Sequence, residues 1–569
     1  MAMQEATVDE LVRMISHGEL RLPEMQRRYV WRSSRVRDLL DSLYREYPSG
    51  TILIWEAGEQ VPLQDMAVSQ EKSGFKSTRL LLDGQQRLTS LSAVISGERV
   101  KVRGRRKPIE LLFNLEHPDK LAEASEVEED GAEDEDEEEP VDGEADETDS
   151  SEDELQKRFD QKIFVVSTRK LEQLPKWVKV TDVFKSTSDA AFLERAGVTS
   201  LKDPNFTRYS QRLAKLRAIR NYKYRMDVLD QKLPYEEVTE IFVRVNSLGA
   251  KLRSSDLALA QITAMWRNSL AIFEKFQEAC AKKGFYLDLG LLLKNLVVFA
   301  TGQSRFQTVG NLKVEDLKAG WIASRKGMEF ALNFACNNTE IDCPALLSSP
   351  FLLITVAYFG YKRGYELSPS ESDRLRYWVL VANAKGRYSR GSSETLLDQD
   401  IASIRGGSRT KGLIDRLRLQ VGRLDVTPGE LEGRNQRSAL FKTMFLAFRA
   451  RGAKDWRSQV AIALDHSGSE HRLQFHHIFP KAILKGRYTS READDICNLC
   501  FIAGKTNRQI SVKSPDSYFP QILAKSGQDV FKAQCIPMDK TVLGINNYMA
   551  FLAKRRLLIA KCLNEFLGS

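Results

Sequence analysis

Four of the six histidines in this 569-residue chain lie between His466 and His477. Two of them are adjacent, in Leu473-Gln-Phe-His476-His477-Ile-Phe-Pro480. The segment reads as a short strand, and neighbouring strand residues point to opposite faces, so two imidazoles side by side can take different jobs. Asn498-Leu-Cys-Phe-Ile502 reads as a second strand, and Gly504-Lys-Thr-Asn507-Arg508 opens a helix. Hydrolysis of a phosphodiester near neutral pH needs a base to deprotonate water and a divalent cation to neutralise the scissile phosphate and leaving oxygen. Histidines and asparagines at these offsets, with Lys505 and Arg508 alongside for phosphate contact, suit that chemistry.

A second constellation lies near the other end. Arg79-Leu-Leu-Leu-Asp83 reads as a buried strand, followed by Gly84-Gln85-Gln86-Arg87 and a helix over Leu88–Ile95. Backbone N–H groups at a helix start attract phosphate, Gly84 allows close approach, and Arg87 can fork onto an anionic oxygen. Taken alone, the segment is not a Walker loop and reads better as a structural turn. Pro23-Glu-Met-Gln26-Arg27-Arg-Tyr29-Val-Trp31 and Ile241-Phe-Val-Arg244-Val-Asn246-Ser-Leu-Gly249 add weight to a ligand. Each sets polar groups inside an apolar, strand-like run, where burial without a partner costs roughly 1–3 kcal/mol per group. Tyr29 and Trp31 read as core aromatics, the alternative being a surface that reads a DNA modification.

These three N-terminal motifs, in this order, resemble the ParB-like N-terminal domain of GmrSD-type, modification-dependent (type IV) restriction enzymes, over about residues 8–265. The resemblance implies binding and hydrolysis of a nucleoside triphosphate, with Gln26, Arg27, Asp83, Gly84, Gln85, Gln86, Arg87, Arg244 and Asn246 lining the pocket. It does not say which nucleotide. Residues 430–530 resemble the HNH nuclease half of the same enzymes. That likeness implies His476 and Asn507 as ligands of a divalent metal (Mg²⁺ or Mn²⁺), His477 as general base, and Asn498 as the residue holding loop and base in orientation. One departure is that the ligand position is often acidic in HNH sites, whereas here it is His476.

The elements that must position these residues follow from composition and pattern. A chain of this length holds two to four domains, and its 42% hydrophobic and 28% charged residues are those of a globular protein. We expect an α/β plus α architecture: a ParB-like α/β domain over 1–265, a helical connector over 266–430, and a ββα-metal nuclease within a mostly helical domain over 431–569. Helices are expected at 262–280, 287–300 and 373–384, and short strands at 162–167 and 177–180. The uncharged stretch 343–361 is interrupted by Pro344 and Pro350 and leaves only Phe351–Tyr361 as apolar helix, too short for a bilayer. It reads as a core helix.

Charge is distributed unevenly. Residues 123–154 hold twenty Asp or Glu and no Lys or Arg, so the net +8 of the whole chain becomes +28 without them. The acidic run reads as a disordered insertion within the first domain, or else a mimic that competes for a basic groove. The basic remainder favours a polyanionic partner, nucleic acid above all. Basic residues of the middle region, including those of Arg387-Tyr-Ser-Arg-Gly391, are candidates to track DNA. Seven scattered cysteines fit a reducing cytoplasm, and Cys497-x-x-Cys500 without a second pair reads as buried thiols rather than a zinc site. The reading is a cytoplasmic, nucleotide-controlled DNA endonuclease acting on foreign, modified phage DNA, with no membrane partner and with a homo-oligomer left open. A nucleotide-gated DNA-binding regulator with a vestigial nuclease, or an RNA-cleaving abortive-infection toxin, are the alternatives.

Overall fold

The computed structural model describes residues 2–26, 29, 31, 33–57, 61–64, 66–71, 78–98, 109–119, 159–248, 253–389, 391–466 and 473–568. Arg27, His471 and the acidic run 123–154 lie outside these, as does the side chain of Asn246. The architecture is mixed α/β, with a sheet in the N-terminal part and a helical remainder. The chain divides into two compact units, Met1–Leu270 and Ala271–Ser569.

The first unit is built on a six-stranded mixed sheet. Its strands are β1 (Ala2–Thr7), β2 (Leu20–Pro23), β3 (Ile52–Ala57), β4 (Leu63–Gln64), β5 (Thr78–Asp83) and a later strand, Lys223–Leu229, in the order β1, Lys223–Leu229, β3, β5, β2, β4. Strand alternation sends side chains to both faces: Ile52, Ile54 and Leu81 join one apolar cluster, while Leu53, Trp55, Leu80 and Leu82 join another. A sheet buried on both sides explains why β3 and β5 read as continuous apolar runs. Helix α1 (Val8–Ser16) starts on a Thr7–Glu10 capping box, and α2 (Ser33–Tyr44) and α3 (Gln85–Ser96) follow the expected positions. The strands at 162–167 and 177–180 form, as Phe164–Val166 and Trp177–Lys179, flanking Leu111–Asn114 in a small antiparallel sheet.

Three expectations need correction. The Arg244 segment lies on a helix, Tyr235–Leu248, not in a strand-like run. A short apolar stretch fits either period, and its buried Tyr235 and Val238 face the sheet at helical spacing. Lys223–Leu229 is a strand, although the sequence from Tyr209 to about residue 450 reads as mostly helical, and burial alternates along its first residues. The stretch 262–280 is two helices, Ser254–Met265 and Ser269–Lys282, parted at Asn268, whose φ of +65° a helix cannot carry.

The second unit is mostly helical. Phe351–Lys362 forms the expected core helix, and Leu289–Thr301 and Pro369–Lys385 match the other two. Among the described residues no helix is long and apolar enough to cross a membrane. Arg387, a candidate for DNA contact, is instead 1% exposed, donating to both carboxylate oxygens of the buried Asp400 at 3.0 and 2.8 Å. A desolvated charge is tolerable only when paired this way, so Arg387 is a core residue.

Candidate active site

The strands Leu473–His477 and Leu499–Ala503 pair antiparallel, with His476 opposite Cys500 and His477 opposite Leu499. The helix Gly504–Ile510 follows at once. Every residue of Leu499–Ala503 is buried, and Phe501 packs against Phe441 and Phe445 with ring centroids 5.2 Å away in each case. Side chains cover the strand's outer edge where another strand would lie. Gln534 bonds Phe501 in both directions at 2.8 Å, and fully buried Arg555 donates to the carbonyls of Cys497 and Leu499 at 2.7 and 2.8 Å. The backbone groups are thereby satisfied without an open edge.

Asn498, fully buried, closes the turn before that strand. Its Oδ1 accepts from Phe479 N at 2.9 Å, and its Nδ2 donates to the carbonyls of Phe479 and Ala493, both at 3.0 Å. Its own carbonyl takes Ile478 N at 2.7 Å. The two residues after His477 are therefore clamped from both sides.

The adjacent histidines do part. His476 is buried, edge-on to the rings of Trp456 and Tyr518, with Nδ1 2.6 Å from Asn507 Oδ1. Asn507 Nδ2 donates to Gln474 Oε1 at 2.7 Å, which orients Oδ1 toward the imidazole. Burial, partly opposed by the Asn507 bond, pushes the His476 pKa down to about 4, so the ring is neutral at neutral pH. His477 is half-buried, and its Nε2 lies 3.0 Å from Asp494 Oδ1. Burial lowers its pKa too, with the Asp494 hydrogen bond acting against the fall.

Two acids escaped the sequence reading. Asp494 takes both His477 and Lys481, whose Nζ is 2.8 Å away. Partial burial raises its carboxyl, but the bonds from Lys481 and His477 outweigh that and hold it below the usual range. Asp455 accepts from Ala503 N and Thr506 Oγ1 at 2.8 and 2.9 Å and so fixes the start of the helix that carries Asn507. Both partnerships span long sequence separations, and no local pattern marks them. Cys497 and Cys500 are free buried thiols whose pKa values burial pushes up, in keeping with the thiol reading.

The fit of a metal can be judged from the donors. Among the described residues no three His, Cys, Asp or Glu gather as a cage. His476 and Asn507 bring a neutral imidazole and an amide oxygen within 2.6 Å of each other, and His476 Nε2 is buried without a hydrogen-bond partner in the structure. Two such donors would suit a hard cation that keeps waters in the rest of its shell. Lys505 and Arg508 are exposed on the same helix.

In the first unit, Gln26 bonds the end of β5, just before the 83–87 turn. Gln26, 5% exposed, donates its amide to the carbonyls of Leu81, at 3.0 Å, and Leu82, and Trp31 N donates to Gln86 Oε1 at 3.2 Å. Gly84 has φ +97°, which L side chains rarely adopt, so a substitution there would be strained, and its Cβ would also press on Ile52 Cδ1. Arg87 donates to Ser49 O, to Thr51 O at 2.6 Å and to Asp83 Oδ2 at 3.1 Å, joining the turn to the start of β3. Gln85 is buried at the head of α3. Arg244 is exposed and paired with Glu240, one turn back on its own helix. Tyr29 is a core residue, its hydroxyl 2.8 Å from Ser90 Oγ, and Trp31 packs against the same core.

A protein of Methanocaldococcus jannaschii, the uncharacterized protein MJ0686, is 22% identical to this chain over 555 residues, covering 90% of this chain and 86% of the relative. Residues 8–263, which hold Gln26, the 83–87 turn and Arg244 and make up nearly all of the first unit, match the family described as the GmrSD restriction endonuclease, N-terminal domain.

Proposed function

We propose that this chain is a cytoplasmic, metal-dependent endonuclease of the GmrSD type, with a ParB-like, nucleotide-binding first unit and an HNH site in the second, restricting foreign DNA that carries modifications, such as phage DNA. The observation that carries the reading is the strand–strand–helix arrangement that joins His476 to Asn507 and buries Asn498 behind His477, in a chain whose residues 8–263 match the N-terminal domain of a restriction endonuclease. The basic excess outside residues 123–154 supports a nucleic-acid substrate.

In this reading His476 and Asn507 would hold a divalent cation, which when bound would supply charge neutralisation at the scissile phosphate and the leaving oxygen. His477 takes the proton of the attacking water. Neutrality of the ring before reaction is required of a base, and burial provides it. Asn498 holds the chain that follows His477 in place, and Lys505 and Arg508 meet the DNA backbone. The neutral ligand pair leaves more of the phosphate charge to these cations than an acidic ligand would.

The test is incubation of the purified chain with plasmid, modified phage DNA and total RNA, with and without Mg²⁺ or Mn²⁺. Metal-dependent cleavage of DNA is expected, and cleavage of RNA alone would transfer the reading to a toxin. His476→Ala and Asn507→Ala should each raise the metal concentration for half-maximal cleavage by at least the roughly tenfold that loss of an outer-shell partner costs. Indifference of both variants to metal would remove the ligand assignment. For the first unit, Gln86→Ala with Arg87→Ala should abolish turnover of nucleoside triphosphates while His477→Ala leaves it intact. Because Arg87 also ties down Ser49 and Thr51, Gln86→Ala alone and a thermal melt accompany the double variant. A wild-type chain that hydrolyses no nucleotide with any DNA present would discard the nucleotide half of the reading.

A further inference from the structure

We infer that Asp494 is the positioning residue of His477, holding the ring in the tautomer and orientation that leave Nδ1 to accept the proton of water. The inference rests on the nuclease reading and adds to it a residue that no strand or helix period marks.

The geometry is specific. Asp494 Oδ1 lies 3.0 Å from His477 Nε2, and a carboxylate can only accept there, so the proton is on Nε2 and the lone pair on Nδ1. No described residue hydrogen bonds Nδ1. When Nδ1 takes a proton from water, the O–H bond breaks, the hydroxide oxygen bonds to phosphorus as the phosphorus–oxygen bond to the leaving strand breaks, the departing oxygen keeps that electron pair and takes a proton from solvent water, and the imidazolium so formed faces the Asp494 carboxylate through Nε2–H. The charge created by the step is thus paired without movement.

The surrounding backbone keeps Asp494 in place. Ala493, its neighbour, gives its carbonyl to Asn498 Nδ2 at 3.0 Å, so the residue that clamps the chain after His477 also holds the approach to Asp494. Asp494 N donates to Ser490 O at 2.9 Å. The adjacent acid differs: Asp495, 1% exposed, accepts from Gly433 N, Cys497 N and Arg556, and belongs to the core. Asp494 is open enough to serve the site, and Lys481, half-exposed, shares its Oδ1 at 2.8 Å. A DNA phosphate that draws Lys481 away leaves Asp494 to His477 alone.

The experiment pairs kinetics with a spectroscopic readout on the full chain. Asp494→Ala and Asp494→Asn should lower kcat for DNA cleavage by at least about 10-fold, with the roughly 10²- to 10⁴-fold contribution of the base it positions as the upper limit. KM for DNA should stay within about twofold, and Asp494→Glu should recover part of the loss. With only six histidines, ¹⁵N-histidine labelling can resolve the His477 Nε2–H, assigned by its loss in His477→Ala. It should be shifted downfield and protected from exchange in the parent, and lose both properties in Asp494→Ala. Should Asp494→Ala fail to fold, the isosteric Asp494→Asn carries the test. Unchanged kcat, a change in KM alone, or an Nε2–H resonance indifferent to Asp494 would overturn the inference. A parent that cuts no nucleic acid would instead sink the nuclease reading, and the resonance would still report whether Asp494 holds His477.

Discussion

His477→Ala abolishes strand cleavage and leaves the second unit folded. The rate loss expected is about 10²- to 10⁴-fold, the contribution of a positioned general base. The fold survives because His477 is half-buried and its ring makes one hydrogen bond, to an Asp494 that keeps Lys481 as a partner. His476→Ala differs in kind: that ring is buried between Trp456, Tyr518 and Asn507, so its removal opens a cavity as well as removing the proposed ligand. The measurement is single-turnover cleavage of the preferred DNA, with thermal melting of each variant alongside. Cleavage by His477→Ala at the parental rate would end its assignment as the base.

Asn498→Ala should damage stability and cleavage together. Its side chain serves Phe479 N, Phe479 O and Ala493 O, all within 3.0 Å, and Asn498 is fully buried. Alanine would strand these groups away from water, at roughly 1–3 kcal/mol for each one left unpaired, so a total loss of about 3 kcal/mol is expected after partial relaxation. Asn498→Asp offers no relief. It keeps an acceptor for Phe479 N, loses both donors and brings a charge into the core. The same bonds hold the chain on the far side of His477, so cleavage should fall even at temperatures where the variant remains folded. Denaturant unfolding followed with cleavage assays below the midpoint checks both. An Asn498→Ala variant with parental stability would show that the clamp carries no energy.

Together the two substitutions separate a residue that acts on substrate from one that acts on the fold. Two neighbouring acids differ in the same way. Asp494 faces His477, whereas Asp495 is enclosed by Gly433, Cys497 and Arg556. The polar residues of the first unit show a related division. Gln26 and Arg87 spend hydrogen bonds on the protein's own carbonyls, so they build the turn that a nucleotide would have to use.

Much of this was legible in the sequence wherever the controlling physics is local. Gly84 between an apolar strand and a helix announces a left-handed turn, and φ is +97° there. The two strands and helix around His476, His477 and Asn507 follow from short apolar runs and a helix start, and alternation parts the adjacent imidazoles. The core helix Phe351–Lys362 follows from length and composition. What the sequence left undecided depends on distant partners. The strand Lys223–Leu229 gains its place only between β1 and β3, and the Tyr235–Leu248 segment becomes a helix because Tyr235 and Val238 pack on the sheet. Arg387 carries a surface-type charge but is buried because Asp400 is there to meet it. Asp494 and Asp455 become site residues only when the chain folds back to bring them to His477 and to the head of the Asn507 helix. Periodicity and backbone geometry are written into neighbouring residues. The pairing of charges and hydrogen bonds across long loops is decided by closure of the fold, because only there do desolvation and partner geometry determine which polar groups can be buried.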